Sequence, residues 1–516
     1  MRRSFVSSGL VVAGLLASVS AEAQQPPVAE VAPLTPASTT PMPVPEELLR
    51  AHPGGLTADQ VGQQAMTTSF AAKQSLETMR AAEGRVDTAW AAFLPRLSGS
   101  ARYTRLSPIA PPSLGAANVF TIGTTDPALG TPGHAPTAYP PGTALPNATT
   151  QPGNVFAVPN YSFPVFLDNT LLQATLTIPV SDYFLRIDQA YTAATRSAEA
   201  ARFDVGAARA TALSNGKVAY YTWLQARGAI VVAVQALNDQ RIHLNDARNQ
   251  FTVGNASKAD VLRAETSVAQ AELAVVTAEN AAELAETQMR IAIHAPAGQR
   301  LVPGEGLDTS PAPFGGQLAP LVSEAVSQRF ELKSIMANAA SAKKTSEANK
   351  AARFPVISLF ADGIEGNPNS RYFPPSQDFN FTWDVGAQAT WAPNDILTAN
   401  GGANDFAARA RALEAQAQVT LEGIQVEVTQ NYEALKNAEF SLESTRRELA
   451  SATEAYRVAR ELFNNGRGTS TTLTDAERDL TVARIDALNA QVNARIQRVR
   501  LEHAAGRDLR GLAVAP

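Results

Sequence analysis

The stretch Phe251–Glu265, FTVGNASKADVLRAE, returns 212 residues later as Phe463–Glu477, FNNGRGTSTTLTDAE. Each copy reads as the end of one helix, a turn centred on glycine (Gly254, Gly466), and a new helix carrying Ala264-Glu265 or Ala476-Glu477. The register holds on both sides of the stretch. Ala247-Arg248 meets Ala459-Arg460, Tyr220 meets Tyr432, and Leu273 and Met289 meet Ile485 and Leu501. Self-similarity that stays in step from Tyr220 to Met289 marks a duplicated helical hairpin rather than two chance matches to a short pattern.

The duplication extends upstream. An apolar-periodic helical stretch from Leu56 to Pro95, with Thr57 as its N-cap, matches Leu318–Pro355 at an offset of 260, placing Val61 on Leu321, Phe70 on Phe330 and Pro95 on Pro355. Each proline is followed by a short alternating run, a loop and a second alternating run. In FNFTWDVGAQATW the odd positions Phe379, Phe381, Trp383, Val385, Ala387, Ala389 and Trp391 are apolar, and the even positions are polar or glycine. Period-two alternation of this length gives a strand with two unlike faces. Its counterpart sets Leu172, Ala174, Leu176 and Ile178 against Gln173, Thr175 and Thr177. The apolar face belongs either in a soluble core or against lipid. The aromatics favour lipid, where barrel strands run about 9–11 residues. Four such strands cannot close a barrel of about eight or more, so several copies are expected to close it together.

No proline interrupts the chain between Pro179 and Pro296, or between Pro393 and Pro516. These are the long helices. At ~1.5 Å per residue they reach on the order of 100 Å and must pack along their length. Their paired alanines suit lateral packing around water, and the sustained a/d leucines of a two-stranded coiled coil are missing.

The N-terminus reads as an export address: Arg2-Arg3, an apolar run from Leu10 to Val19, and Ala21-Glu22-Ala23 before Gln24. The expected organisation is a signal peptide over 1–23 and a Pro-rich linker over 24–55. A first repeat spans 56–300, with strands near 97–106 and 171–180 and a hairpin near 182–294. A second spans 301–510, with strands near 356–362 and 379–391 and a hairpin near 395–505, and a tail covers 511–516. The Pro/Gly/Ala-rich loop of about 107–169 is read as external.

Several chemistries are not expected. Net charge is −5 without a Lys/Arg run, which argues against a nucleic-acid partner. There is no cysteine, hence no disulfide, thiolate metal site or thiol nucleophile. The five histidines show no ligand spacing, and no phosphate-binding glycine loop occurs. Neither an enzyme, a cofactor nor a metal site is expected.

Paired F-x-x-G turns, each followed by a hairpin helix that carries A-E near its start, in two repeats of helix, strand, strand and hairpin, resemble the outer-membrane efflux protein family typified by TolC. The resemblance covers Leu56 to about Asp508. It implies a fold that is all-α with membrane β-strands: a homotrimer with a twelve-stranded barrel in outer-membrane lipid and an α-helical barrel across the periplasm. It implies docking, at tips holding Phe251, Gly254, Phe463 and Gly466, to a periplasmic adaptor bound to an inner-membrane pump of RND or ABC type. It also implies a periplasmic gate, where Asp475 matches one acidic ring position and Thr472 stands at the other. Asp260 matches an acid that receives a bond from a tyrosine. Here that tyrosine is Phe463, and the family's latch arginine falls on Gly468. If a polar latch exists, Arg467 is the best local substitute donor to Asp260, with Asn464 or Asn465 as weaker ones; the alternative is a solvated Arg467 with the tips held by packing alone. The function implied is the outer-membrane channel of an efflux or type I secretion system. The alternative is an exported periplasmic adaptor or structural coiled-coil protein, which leaves the strands unexplained.

Overall fold

A computed structural model describes residues 50–509 apart from 109–112, 115–118, 122–137, 140–154, 158–160, 163–164, 297, 300 and 308–310. The expected signal peptide, most of the linker and the C-terminal tail lie outside the described residues, as does much of the 107–169 loop.

The chain opens with α1 (Ala58–Thr68) and α2 (Phe70–Ala91). Thr57 accepts from the Gln60 N–H while Gln60 Oε1 accepts from the Thr57 N–H, a reciprocal capping box. The leading stretch is not one helix, as its periodicity suggests, but two. Ser69 leaves the helical region at φ −52°, ψ 125° and caps α2 through Ala72 N–H. The second repeat breaks at the equivalent point: Arg329, at φ −57°, ψ 125°, separates α6 (Leu318–Gln328) from α7 (Phe330–Lys350). Alternation of side chains survives such a single-residue break, so the pattern alone does not show it.

After α2 come β1 (Arg96–Arg105) and five short strands in the loop: β2 (Ser113–Leu114), β3 (Val119–Thr121), β4 (Ala138–Tyr139), β5 (Val155–Ala157) and β6 (Tyr161–Ser162). Then follows β7 (Asp168–Ile178). A short turn of helix, α3 (Val180–Asp182), and a π-helical turn over Tyr183–Ile187 lead into α4 (Asp188–Thr252), which α5 (Lys258–Ala292) follows. The second repeat continues from α7 through β8 (Val356–Asn367), β9 (Asn380–Thr390), α8 (Asp395–Asn464) and α9 (Ser470–Ala504). β8 runs five residues beyond the expected end at 362. Gly363, Glu365 and Gly366 interrupt the apolar pattern but still pair with Trp383, Phe381 and Asn380.

The four long strands form one antiparallel sheet in the order β1-β7-β8-β9, so β1 and β9 are its edges. α4 is the central strut, packing on α5, α7, α2 and α9. There is no single globular core. Three main clusters are strung along the helices. One surrounds Tyr220, Trp223, Met289 and Ile293. A second surrounds Leu321, Val428, Leu435 and Leu501. The third lies at the hairpin tips around Phe463 and Leu473.

The first and second clusters belong to a belt around the middle of the long helices, where α1 and α6 pack. Here the expected linker ends early. Leu56 N–H donates to the Val302 carbonyl, Gly304 N–H to the Leu56 carbonyl, and His52 N–H to Pro303. Gly55 and Gly304 permit this crossing, because a Cβ on either would lie 2.4 Å from the other strand's backbone oxygen. Glu305 then accepts from Ala58 N–H and from the Tyr221 hydroxyl, tying the start of α1 to α4.

Candidate functional site

Two parts of the fold are candidates for function: the sheet and the hairpin tips. The strand register assigns each side chain to a face. Leu97 pairs with Leu176, Leu176 with Ala361 and Ala361 with Val385; Ala101, Leu172, Glu365 and Phe381 align in the same way. The resulting face carries Leu97, Tyr103, Leu172, Leu176, Ile357, Leu359, Phe381, Trp383 and Val385, and all of them are exposed, Trp383 at 69%. Residues Phe379, Ala387, Ala389 and Trp391 are exposed as well. Among the described residues nothing covers this face.

The opposite face is polar. Ser98, Thr175, Asp362 and Asp384 form one row across all four strands. Asp362 and Asp384 stand directly opposite each other, a repulsive pairing unless each finds its own partner. Asp362 accepts from Thr175 and from Gln173 (3.2 Å), and Asp384 accepts from Arg371 (2.6 Å). Leu171, Ile364 and Phe360 interrupt this face, and Phe360 lies over Gly386, where a Cβ would come within 2.7 Å of its ring. A sheet whose apolar side is exposed and whose polar side is internally bonded is inverted relative to a soluble core. It suits lipid outside and water inside. Among the described residues no helix is long and apolar enough to cross a membrane.

The two tips share one construction. Gly254 (φ 82°) and Gly466 (φ 67°) adopt the left-handed conformation that ends a helix and that glycine reaches at little cost. Gly254 N–H donates to the Phe251 carbonyl and Asn255 N–H to Gln250; Gly466 and Arg467 repeat this with Phe463 and Leu462. Ser257 and Thr469 then cap α5 and α9. Gly468 leaves little room, since a Cβ there would sit 3.1 Å from Leu462 and the Phe463 nitrogen. The tips touch where Gln250 Nε2 donates to the Asn464 carbonyl at 2.8 Å.

The residues singled out at the gate are placed differently from one another. Asp260 is the acid of the Ser257 capping box and also meets Arg263 at 2.9 Å. Hydrogen bonds from Ser257, helped by Arg263, hold its carboxyl below the usual range. It is not joined to Arg467, which is an exposed turn residue with no ion pair among the described residues. Thr472 is partly engaged at the α9 cap, its hydroxyl 2.8 Å from that of Thr469. Asp475 lies exposed on the second turn of α9. Phe251 is exposed, whereas Phe463 is only 4% exposed and belongs to the tip core. Phe463 is thus no surface for a docking partner. Its apolar ring is drawn into the shared cluster with Ala247, Val261, Ala264 and Leu473.

A buried polar cluster joins the hairpins beside Phe463. His243 Nδ1 lies 2.8 Å from Glu477 Oε2, with both side chains 1% exposed. His243 Nε2 is 3.5 Å from Ser470 Oγ, and the Phe463 ring packs edge-on to the imidazole at 5.6 Å. Burial pushes the Glu477 carboxyl above the usual range. Asp246–Arg460 (3.2 Å) and Asp239–Arg484 (2.7 Å) flank the cluster. Glu477 is not singled out in the sequence as a site residue. The signal was present: Ser470, Leu473, Glu477 and Leu480 recur at helical spacing, which places an acid within a buried stripe.

A family model described as outer membrane efflux protein matches residues 166–293 and 321–507, more than half of the chain. No curated protein matches the sequence. Among solved structures, the outer-membrane channel OprN is 17% identical, with 87% of this chain and 89% of that chain covered at a TM-score of 0.66. The Campylobacter jejuni CmeC outer membrane channel is 14% identical, with 89% and 91% covered at 0.66. The Neisseria gonorrhoeae MtrE channel in its open state is 16% identical, with 87% and 88% covered at 0.64. At such identities the likeness shows a shared TolC-like fold, while the family match spans β7, β8, β9 and both hairpins. The chain belongs to the outer membrane efflux protein family.

Proposed function

We propose that three copies of this chain form the outer-membrane channel of a tripartite efflux or type I secretion system, passing substrate from a periplasmic adaptor and inner-membrane pump to the exterior. One observation carries the reading: a four-stranded sheet with an exposed apolar face, a polar row along the other face, and two open edges. A bilayer tolerates no unpaired strand edge, so β1 of one copy pairs with β9 of the next until the sheet closes. Three copies supply twelve strands, an even number within the range of such barrels. Each chain divides into two repeats, 56–300 and 301–510, and the paired hairpins continue the barrel as a helical tube into the periplasm. At its far end Asp475 from three copies rings the entrance, while Phe251, Gly254 and Gly466 present the surface for an adaptor.

The test is extraction of outer membranes in detergent. The reading expects a particle of three chains that resists unheated SDS and collapses to the monomer on boiling. Recovery of the protein as a monomer in the periplasmic fraction would refute it.

A further inference from the structure

Widening the tube at its tips requires the hairpins of each chain to part. Their distal halves meet along one seam, α4 against α9, with α8 joining at the tip through Ala459, Arg460 and Phe463. The His243–Glu477 pair sits in that seam, 1% exposed on both sides. Phe463 and Gly468 at the second tip offer no side-chain donor that could bridge the hairpins.

The charges around the pair cancel. On α4, Asp239 and Asp246 are matched by Arg484 of α9 and Arg460 of α8. Tyr456 of α8 stays neutral, burial pushing its hydroxyl up to about 12. Toward α5, Arg241–Glu272 and Arg248–Glu265 are exposed pairs. The His243–Glu477 pair must therefore be neutral in itself, since a lone charge in a dry seam is costly. Neutrality requires one titratable proton on the pair, giving either imidazolium with carboxylate or imidazole with carboxylic acid. Gln240 stands beside the Glu477 carboxyl and favours its charged form, while Glu477 Oε1 and Gln240 Oε1 are buried with no donor at hydrogen-bond distance among the described residues.

We propose that His243 and Glu477 are the latch between the two hairpins, and that the closed seam holds one proton which opening releases above neutral pH. This rests on reading the tips as the channel entrance. When the seam opens, both groups reach water, where a carboxyl titrates near about 4.3 and an imidazole near about 6.5. Between those values the open pair also holds one proton, and pH has no leverage. Above about 6.5 the open pair has lost its proton and the closed pair keeps it, so each unit of pH favours opening about tenfold per latch. Below about 4.3 the open pair takes up a second proton, and closure weakens again. Burial, which raises the Glu477 carboxyl, acts in the same sense: its stabilisation of the closed form is lost as pH rises.

The experiment is single-channel recording of full-length trimers in planar bilayers from pH 5 to 8.5, reading the ratio of open to closed time. Wild type should be level from pH 5 to about 6.5 and rise above it by up to tenfold per unit for each latch that opens in the transition. Glu477→Gln keeps a hydrogen-bonding side chain without the titrating group and should be level above about 6.5. His243→Gln leaves only the carboxyl, with its onset near about 4.3, so the ratio should already rise across pH 5 to 6.5, where wild type is level. A wild-type ratio that is level from 6.5 to 8.5 overturns the latch while leaving the channel reading intact, and so does a wild-type slope retained in Glu477→Gln. If Glu477→Gln does not assemble, the displaced onset in His243→Gln decides alone, and an unmoved onset overturns the latch. Trimers that conduct at no pH overturn the channel reading and the latch together.

Discussion

Val385→Arg puts the inverted sheet to a quantitative test. Val385 lies at the middle of β9, pairs with Ala361 and is 67% exposed on the apolar face. In the assembled barrel that position falls near the bilayer midplane, where an arginine facing lipid costs roughly 2–4 kcal/mol. At about 1.4 kcal/mol per factor of ten, this is a loss of roughly 30- to 700-fold in the equilibrium for inserting one chain. Three equivalent sites in a trimer multiply the effect. Gln388→Arg is the control. It lies three residues along the same strand on the opposite face, opposite Ser358, and gives up only a hydrogen bond to Thr390. An arginine there faces water, and the lost bond is worth about 1 kcal/mol. The assay is the fraction of SDS-resistant trimer in outer membranes at matched expression, followed by urea unfolding in lipid. Val385→Arg should abolish or strongly deplete the trimer while Gln388→Arg stays near wild type. Equal trimer yields, or the reverse order, would mean that the faces are assigned the wrong way round.

Three further outcomes follow from the tips. Phe463→Ala removes a 4%-exposed ring from the shared cluster and should cost about 3–5 kcal/mol, seen as early release of the hairpin ends in hydrogen exchange with the barrel unaffected. Gly466→Leu forces a branched side chain into a left-handed turn at φ 67° on the docking surface; trimer yield should be unchanged and efflux in a strain lacking the native gene should be lost. The Asp260 carboxyl is held low by Ser257 and Arg263, so its capping contribution is fully present above about pH 3.9 and is lost as pH falls through the lowered value. Amide exchange at the start of α5 should accelerate only below that range, and Asp260→Asn should remove the pH dependence.

The sequence disclosed the large features because they rest on periodicity. A repeated turn at Gly254 and Gly466 announced two hairpins, and the alternation from Phe379 to Trp391 announced a two-faced strand. Features that depend on the third dimension were harder to read. The breaks at Ser69 and Arg329 leave the helical pattern on either side intact, so nothing in composition separates α1 from α2 or α6 from α7. The crossing of residues 52–56 over 302–304 joins backbone groups, which carry no sequence signature beyond Gly55 and Gly304. Asp260 was paired in expectation with Arg467 across the tips, yet the nearer partners Ser257 and Arg263, three residues away on either side, claim it first. The buried His243–Glu477 contact spans 234 residues of chain and falls outside any local pattern, although the acid in the stripe Ser470, Leu473, Glu477, Leu480 marks where a partner is needed.

Electron cryomicroscopy of the full-length protein in lipid nanodiscs tests the central claim most directly. The account predicts a threefold particle with one closed barrel of twelve strands inside the lipid, β1 of each chain paired to β9 of its neighbour. The face bearing Phe381, Trp383 and Val385 should lie against the acyl chains, and the helical tube should project from one side. A particle whose four strands per chain fold against its own helices outside the lipid, or whose apolar face lines the lumen, would contradict it.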